Sequence, residues 1–245
     1  MLVVASAVSV GAQRGRGAPA APTTAKEQAL VDLTGYWVSV VTEDWRYRMV
    51  VAPKGDRPSV PLNAEGNRMA SAWDPAKDEA ANEQCKAYGA AGVMRAPGRL
   101  HVAWESDNAM KIETEAGTQS RLFVFGAAPA ASGAATWQGS SAAQWEVAGG
   151  RRGRGAGSQG GSLKVVTTHL RPGYLQKNGI PYGENAVLTE YFTRTTEPNG
   201  DSWLIVTHIV EDPQYLTQPF IRSSQFKKLP DSASTAWKPE ACSAR

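Results

Sequence analysis

Beyond Leu33 the chain is a succession of strand-length segments rich in Val, Ile, Thr and aromatic residues, punctuated by Gly, Pro, Asn and Asp. GYWVSVVT and RYRMVVA flank a tight EDW turn, and RLHVAWE, AMKIETE and QSRLFVFG follow with turns at Asp107-Asn108 and Ala116-Gly117. After a loop rich in Gly, Ala, Ser and Pro come SSAAQWEV, SLKVVTTHL, AVLTEYFTRT, SWLIVTHIV and PFIRSSQFKK. Such runs read as strands, and hairpin-length links make chain neighbours antiparallel. About ten strands with so little helix close into a barrel or stack as a sandwich. The expectation is an all-β, antiparallel up-and-down barrel.

A chain of 245 residues, 42% hydrophobic, has enough apolar material for one sizeable core. The predicted barrel domain spans 33–230 and is followed by a polar tail, 231–245. One stretch breaks the strand pattern. Within 63–88, Asn63 can cap a short helix, and Asp74 followed by Pro75 can start a second. This helical insertion is expected to close one end of the barrel or pack on its side.

Residues 1–12 form an apolar run of small and β-branched residues ending near Gly11-Ala12, as a secretory signal does, although no basic residues precede the run. A flexible leader, 13–32, would follow. Cys85 and Cys242 fit an exported, periplasmic or secreted chain in which one bridge ties the tail to the body; two separate thiols are the alternative. No segment is apolar enough to span a bilayer as a helix. The net charge of +3 gives no general case for nucleic acid as a partner. The Gly/Arg segment 149–161 resembles RNA-binding arginine-glycine repeats, but without interleaved aromatic residues it reads as a linker between two strands.

Gly35-Tyr36-Trp37 opens the first strand and resembles the GxW that begins the first strand of lipocalins and related calycin barrels. That resemblance implies a basic residue covering the tryptophan, which Arg222 or Arg194 could supply, and a cup whose interior holds a small apolar or aromatic molecule. A bridge from C-terminal tail to barrel body is also common in lipocalins. The order GYW, TWQGSSAAQW, TEYFTR, EDPQYLTQPF is similar to a set of exported bacterial proteins that carry no assigned activity.

Side-chain alternation assigns the faces. A three-residue loop at 106–108 sets Leu100, Val102 and Trp104 beside Met110, Ile112 and Thr114, with Lys111, Glu113, Glu115 and His101 outside. Lys164 marks the outer face of its strand, which sends Leu163, Val165, Thr167 and His169 inward. A turn at Asn199-Gly200 pairs Tyr191 with His208 and Thr189 with Val210, making that uncharged face the interior and leaving Glu190 and Arg194 on the other; which face lines the interior stays open. His169, His208, Tyr191 and Thr189 would then converge near one mouth.

Two functions follow. One is an exported barrel that binds a small apolar or aromatic molecule, with Arg48, Trp104, Trp145, Thr189, Glu190 and Arg194 as candidate contacts. The other is a cofactor-independent lyase, isomerase or hydratase in which His169 or His208 is the acid or base, Tyr191 the proton donor, and Arg194 or Arg48 the anchor for an anionic group. A structural, hydrogen-bonded role for the histidines competes with both. Neither reading calls for a cofactor, and a metal on His169 and His208 lacks a third ligand. Serine-hydrolase, zinc-protease, P-loop and dinucleotide motifs are missing from the sequence.

Overall fold

The computed structural model describes residues 23–57, 59–126, 133–147 and 161–244. The barrel strands are β1 (Gly35–Val40), β2 (Arg99–Ser106), β3 (Ala109–Thr114), β4 (Gln119–Phe125), β5 (Ser140–Val147) and β6 (Gly161–Thr168). A small separate hairpin, β7 (Gly173–Gln176) and β8 (Ile180–Tyr182), precedes β9 (Val187–Thr196), β10 (Ser202–Glu211) and β11 (Phe220–Lys228). Nine strands, all but β7 and β8, close into one barrel in which successive strands are neighbours and β11 returns to β1. A closed ring with an odd number of strands cannot alternate in direction throughout. The parity is resolved at β4 and β5, which pair parallel, the one departure from the expected antiparallel meander.

RYRMVVA does not form a strand. Asp44 takes a left-handed conformation (φ 49°), and Trp45–Arg48 is a single helical turn, α1. Arg48 is drawn inward by its Nε bond to the Arg95 carbonyl, at 2.9 Å. The expected insertion, 63–88, contains α2 (Ala64–Ala72) and α3 (Pro75–Ala80), and a further short helix, α4 (Ala90–Val93), follows it. The expected caps are present: Asn63 accepts from the Gly66 amide and Asp74 from the Ala76 amide, with Pro75 at the first helical position.

These helices and the β7–β8 hairpin cover the barrel end at which β9 starts and β10 finishes, here called the cap end. Val93 and Met94 join the barrel core, while Ala90, Ala91, Leu175, Ile180 and Tyr182 belong to a second apolar cluster with Leu188, Val210 and Phe220. The opposite end is covered by residues from the predicted leader. Trp145 Nε1 donates to the Ala25 carbonyl at 3.0 Å, and the Ala25 amide donates to Asn108 Oδ1 at 2.9 Å. The C-terminal tail runs back along β1 and β2, where Trp237 meets Tyr36 and His101 edge-on. It ends at the cap end in the Cys85–Cys242 disulfide.

The middle and leader-end portions of the interior are filled with apolar side chains. Trp37, Phe123, Phe192, Phe226 and Met110 are essentially without exposure. Each such residue contributes about 1.5–3 kcal/mol through burial. The GxW tryptophan is covered by Lys228 of β11, 4.7 Å above its ring, and by Arg194 at 5.9 Å. Arg222 does not take that place: it sits nearer the cap end, with Nε 3.1 Å from Asp44.

The β2–β3 hairpin has the expected register, with Val102 opposite Ile112 and Trp104 opposite Met110. The β9–β10 hairpin is shifted by one residue from the predicted pairing. His208 faces Glu190 and Val206 faces Phe192, because the chain reverses through a longer loop closed by the bond from the Glu197 amide to the Asp201 carbonyl. The interior of β9 is therefore Leu188, Glu190 and Phe192, and Thr189, Tyr191 and Thr193 face outward.

Candidate functional site

Towards the cap end the inward positions change from apolar to polar. Arg121 (β4), Ser141 (β5), Thr167 (β6), Glu190 (β9), His208 (β10) and Ser224 (β11) form a buried layer above the aromatic core. Arg121 grips Glu190 with both terminal nitrogens, at 3.0 and 2.5 Å. The same guanidinium reaches Thr167 Oγ1 at 3.4 Å, which in turn lies 2.8 Å from Ser141 Oγ. His208 Nδ1 is 3.3 Å from Glu190 Oε1.

Burial alone would raise the Glu190 pKa, but the Arg121 charge and hydrogen bonds from His208 and Arg121 outweigh it and hold the carboxyl at about 2. Burial lowers the pKa of His208; Glu190 opposes that shift, while Arg95 and Arg121 reinforce it. The imidazole is thus held neutral. An ionised carboxylate only accepts hydrogen bonds, so Glu190 places the imidazole proton on Nδ1 and leaves Nε2 as a basic lone pair. That Nε2 is buried without a partner among the described residues, as are Arg121 Nε, Ser224 Oγ and Tyr182 Oη. Burial also raises the Tyr182 phenol pKa well above its ordinary value.

Beside this layer, at the cap end, lies a cavity of about 270 Å³. Tyr47, Met49, Tyr88, Pro97 and Leu175 give it an apolar and aromatic wall; Arg48, Arg95 and Gln176 form a polar one. Glu240 and Ala241 of the tail border it, next to the disulfide that fixes the tail. Arg95 links cavity and barrel interior, since it lines the first and its charge acts on His208 in the second. Arg48 Nη1 binds Glu43 at 2.6 Å and Arg95 Nη2 binds Asp44 at 2.9 Å, so both side chains are held rigidly by carboxylates from the loop after β1. Burial depresses the pKa of both guanidinium groups, but they stay charged.

Of the residues predicted from sequence, the structure brings together His208 and Glu190 in the interior and puts Arg48 on the cavity wall. The others are elsewhere. Residue 168 ends β6, and His169 follows in a left-handed conformation (φ 56°), so alternation stops at Thr167 and the imidazole turns to the Gly133 carbonyl at 3.1 Å. Tyr191 lies outside the barrel beneath Lys164 Nζ, 5.7 Å from its ring centre, and Thr189 shares that outer face.

Trp104 and Trp145 pack on either side of Phe125, at 5.4 and 5.7 Å, near the leader segment and away from the cavity. Arg194 binds the Asp32 carbonyl at 2.6 Å at that same end. Sequence reading missed Arg121, Arg95, Gln176 and Tyr182. The one available signal for Arg121 was QSRLFVF, where Leu122 and Val124 oppose Phe123 and Phe125, so neither face is polar and an inward arginine is as consistent as an outward one.

Among the described residues, no group of three or more His, Cys, Asp or Glu is placed to hold a metal ion. No described helix is long and apolar enough to cross a membrane. The Gly/Arg segment, apart from Gly161, and the N-terminal apolar run lie outside the described residues. No family model matches the chain, and no curated protein or solved structure does. Its class is accordingly set by the fold alone: an all-β barrel, closed, mostly antiparallel and capped at one end by short helices.

Proposed function

We propose that this is an exported small-molecule-binding barrel whose ligand, apolar or aromatic in its body, enters at the cap end. The observation that carries the reading is the cavity of about 270 Å³ with an aromatic and apolar wall facing a charged one. Its size suits a molecule of one or two rings. The apolar barrel interior is occupied by Phe123, Phe192, Phe226 and their neighbours, so the ligand lodges between barrel and cap and not deep in a cup. Export is supported by the disulfide, which persists in oxidising compartments, and by the apolar run at 1–12.

Native mass spectrometry of protein purified from its own periplasm or medium, with and without mild denaturation, tests this directly. A bound mass released on unfolding is expected, and Tyr88→Ala should lose it. A protein that carries no adduct and binds no ring-containing probe would contradict the reading.

One observation favours a second reading, catalysis by a cofactor-independent lyase, isomerase or hydratase. A neutral histidine oriented by a carboxylate, with Nε2 unpartnered, is the arrangement a general base needs. Tyr182, not Tyr191, is then the buried phenol available as proton donor. His208→Gln separates the two readings: binding retained with turnover abolished indicates catalysis, and unchanged turnover removes His208 from any mechanism.

A further inference from the structure

The cavity's charges do not balance. Arg48, Arg95 and Arg222 stand against Glu43 and Asp44, and Lys177 and Glu240 border the cavity together. Four cations less three anions leave one positive charge. Both cavity-lining arginines are only partly used. Arg48 commits Nε to the Arg95 carbonyl and Nη1 to Glu43, and its Nη2 has no partner among the described residues. Arg95 commits Nη2 to Asp44, and its Nη1 likewise has none among them. Gln176, on β7 across the cavity wall, has a partner among the described residues for neither Nε2 nor Oε1.

These are built-in residues, not surface side chains: Arg48, Arg95 and Gln176 are 6%, 6% and 7% exposed. Buried donors without partners destabilise a fold, and a neutral core would be cheaper to maintain. Three such donors beside one cavity, next to an ion-pair cluster with one more cation than anion, define a recognition site for an anion.

We propose that the cavity's ligand is a small aromatic or apolar monocarboxylic acid, its carboxylate held by Arg48, Arg95 and Gln176. The proposal rests on the binding function above and adds the chemical class of ligand. A monoanion cancels the single excess charge, whereas a phosphate dianion would bury a new negative one. The two free guanidinium nitrogens belong to different arginines, so they offer two separate N–H groups, one to each oxygen of a carboxylate. Gln176 Nε2 supplies a third donor. Its Oε1 accepts from a hydroxyl or N–H on the ligand, which favours hydroxy- or amino-substituted acids.

Isothermal titration of the full-length oxidised protein with aromatic monocarboxylates, from benzoate and 2-hydroxybenzoate to indole-3-acetate, each against its primary amide, tests the assignment. At least one acid should bind about tenfold or more tighter than its amide, the effect of a buried charge-assisted hydrogen bond. Gln176→Met should weaken the acid but not the amide, while its melting temperature stays level or rises, because the substitution removes an unsatisfied buried amide. Arg95→Lys keeps the charge and should show the same selective loss.

Equal affinity for acids and amides overturns the carboxylate site but leaves the binding function standing. Phenyl phosphate binding tighter than benzoate overturns the monoanion assignment. Absence of binding by every acid and amide overturns both this inference and the binding function.

Discussion

Arg121 and Glu190 sit at the centre of the polar layer, and both side chains are fully buried. A buried ion pair of this kind contributes little net stability relative to apolar residues of similar size, yet removing one partner leaves an uncompensated charge. Glu190→Gln or Arg121→Met should each cost about 3–5 kcal/mol in chemical denaturation, and the double replacement by Met should recover most of that loss. Additive losses in the double variant would contradict the pairing.

The same residues make the fold acid-sensitive. Glu190 titrates at about 2 in the fold against an ordinary 4.5, so its stabilisation is complete above 4.5 and lost as pH falls towards 2. His208 is depressed below its ordinary 6.5, so the unfolded chain takes up a proton first and stability declines as pH falls below 6.5. Both effects have the same sign. Urea midpoints measured from about pH 7 to 4 should fall for the wild type and fall less steeply for His208→Gln near 6.5; parallel curves would show that His208 does not titrate between folded and unfolded states.

Elements were legible where polar markers were unambiguous. Lys111 and Glu113 assign the outer face of the β2–β3 hairpin, and the structure places both there, Glu113 bonded to His101 at 3.0 Å. In β9 the same logic failed, because Glu190 reads as an outer residue until Arg121 is known to face it from a strand 69 positions away. A pairing so distant in sequence has no local trace. The odd-length β9–β10 loop added a one-residue slip that turned over the side chains of β9, while β10 kept its expected inner face of Leu204, Val206, His208 and Val210.

RYRMVVA departs from a strand for a related reason: its alternation is real, but Arg48 is fixed by the Arg95 carbonyl, 47 positions away, as well as by nearby Glu43. The cap's own packing gives a sharper local test. Gly179 has φ +81° and lies flat against the Trp73 ring, where a Cβ would collide with it. Gly179→Ala should destabilise the protein by at least about 1–2 kcal/mol, the cost of the left-handed conformation alone. Thermal melts that coincide with wild type would mean that the β7–β8 turn is not packed as described.

At the scale of the whole molecule, two covers close the barrel: the leader segment at one mouth, the helices and β7–β8 at the other. The tail fastens the cap to the far end of the chain through a disulfide spanning 157 residues. In the chain-entropy view such a closure contributes about 3–5 kcal/mol. The double variant Cys85→Ser/Cys242→Ser should melt well below the oxidised wild type, and reductant should reproduce the shift; a melt insensitive to both would show that the tail is held by its other contacts.

The proposed ligand lodges at the cap-end cavity and not within the barrel core. Methionines mark the two places: Met49 lines the cavity, and Met110 lies in the core beside the aromatic residues. Methyl resonances of methionine-labelled protein, followed during titration with an aromatic carboxylate, therefore report the location. A saturable shift of the Met49 methyl with Met110 unmoved is expected. A shift of Met110 with Met49 silent would contradict it.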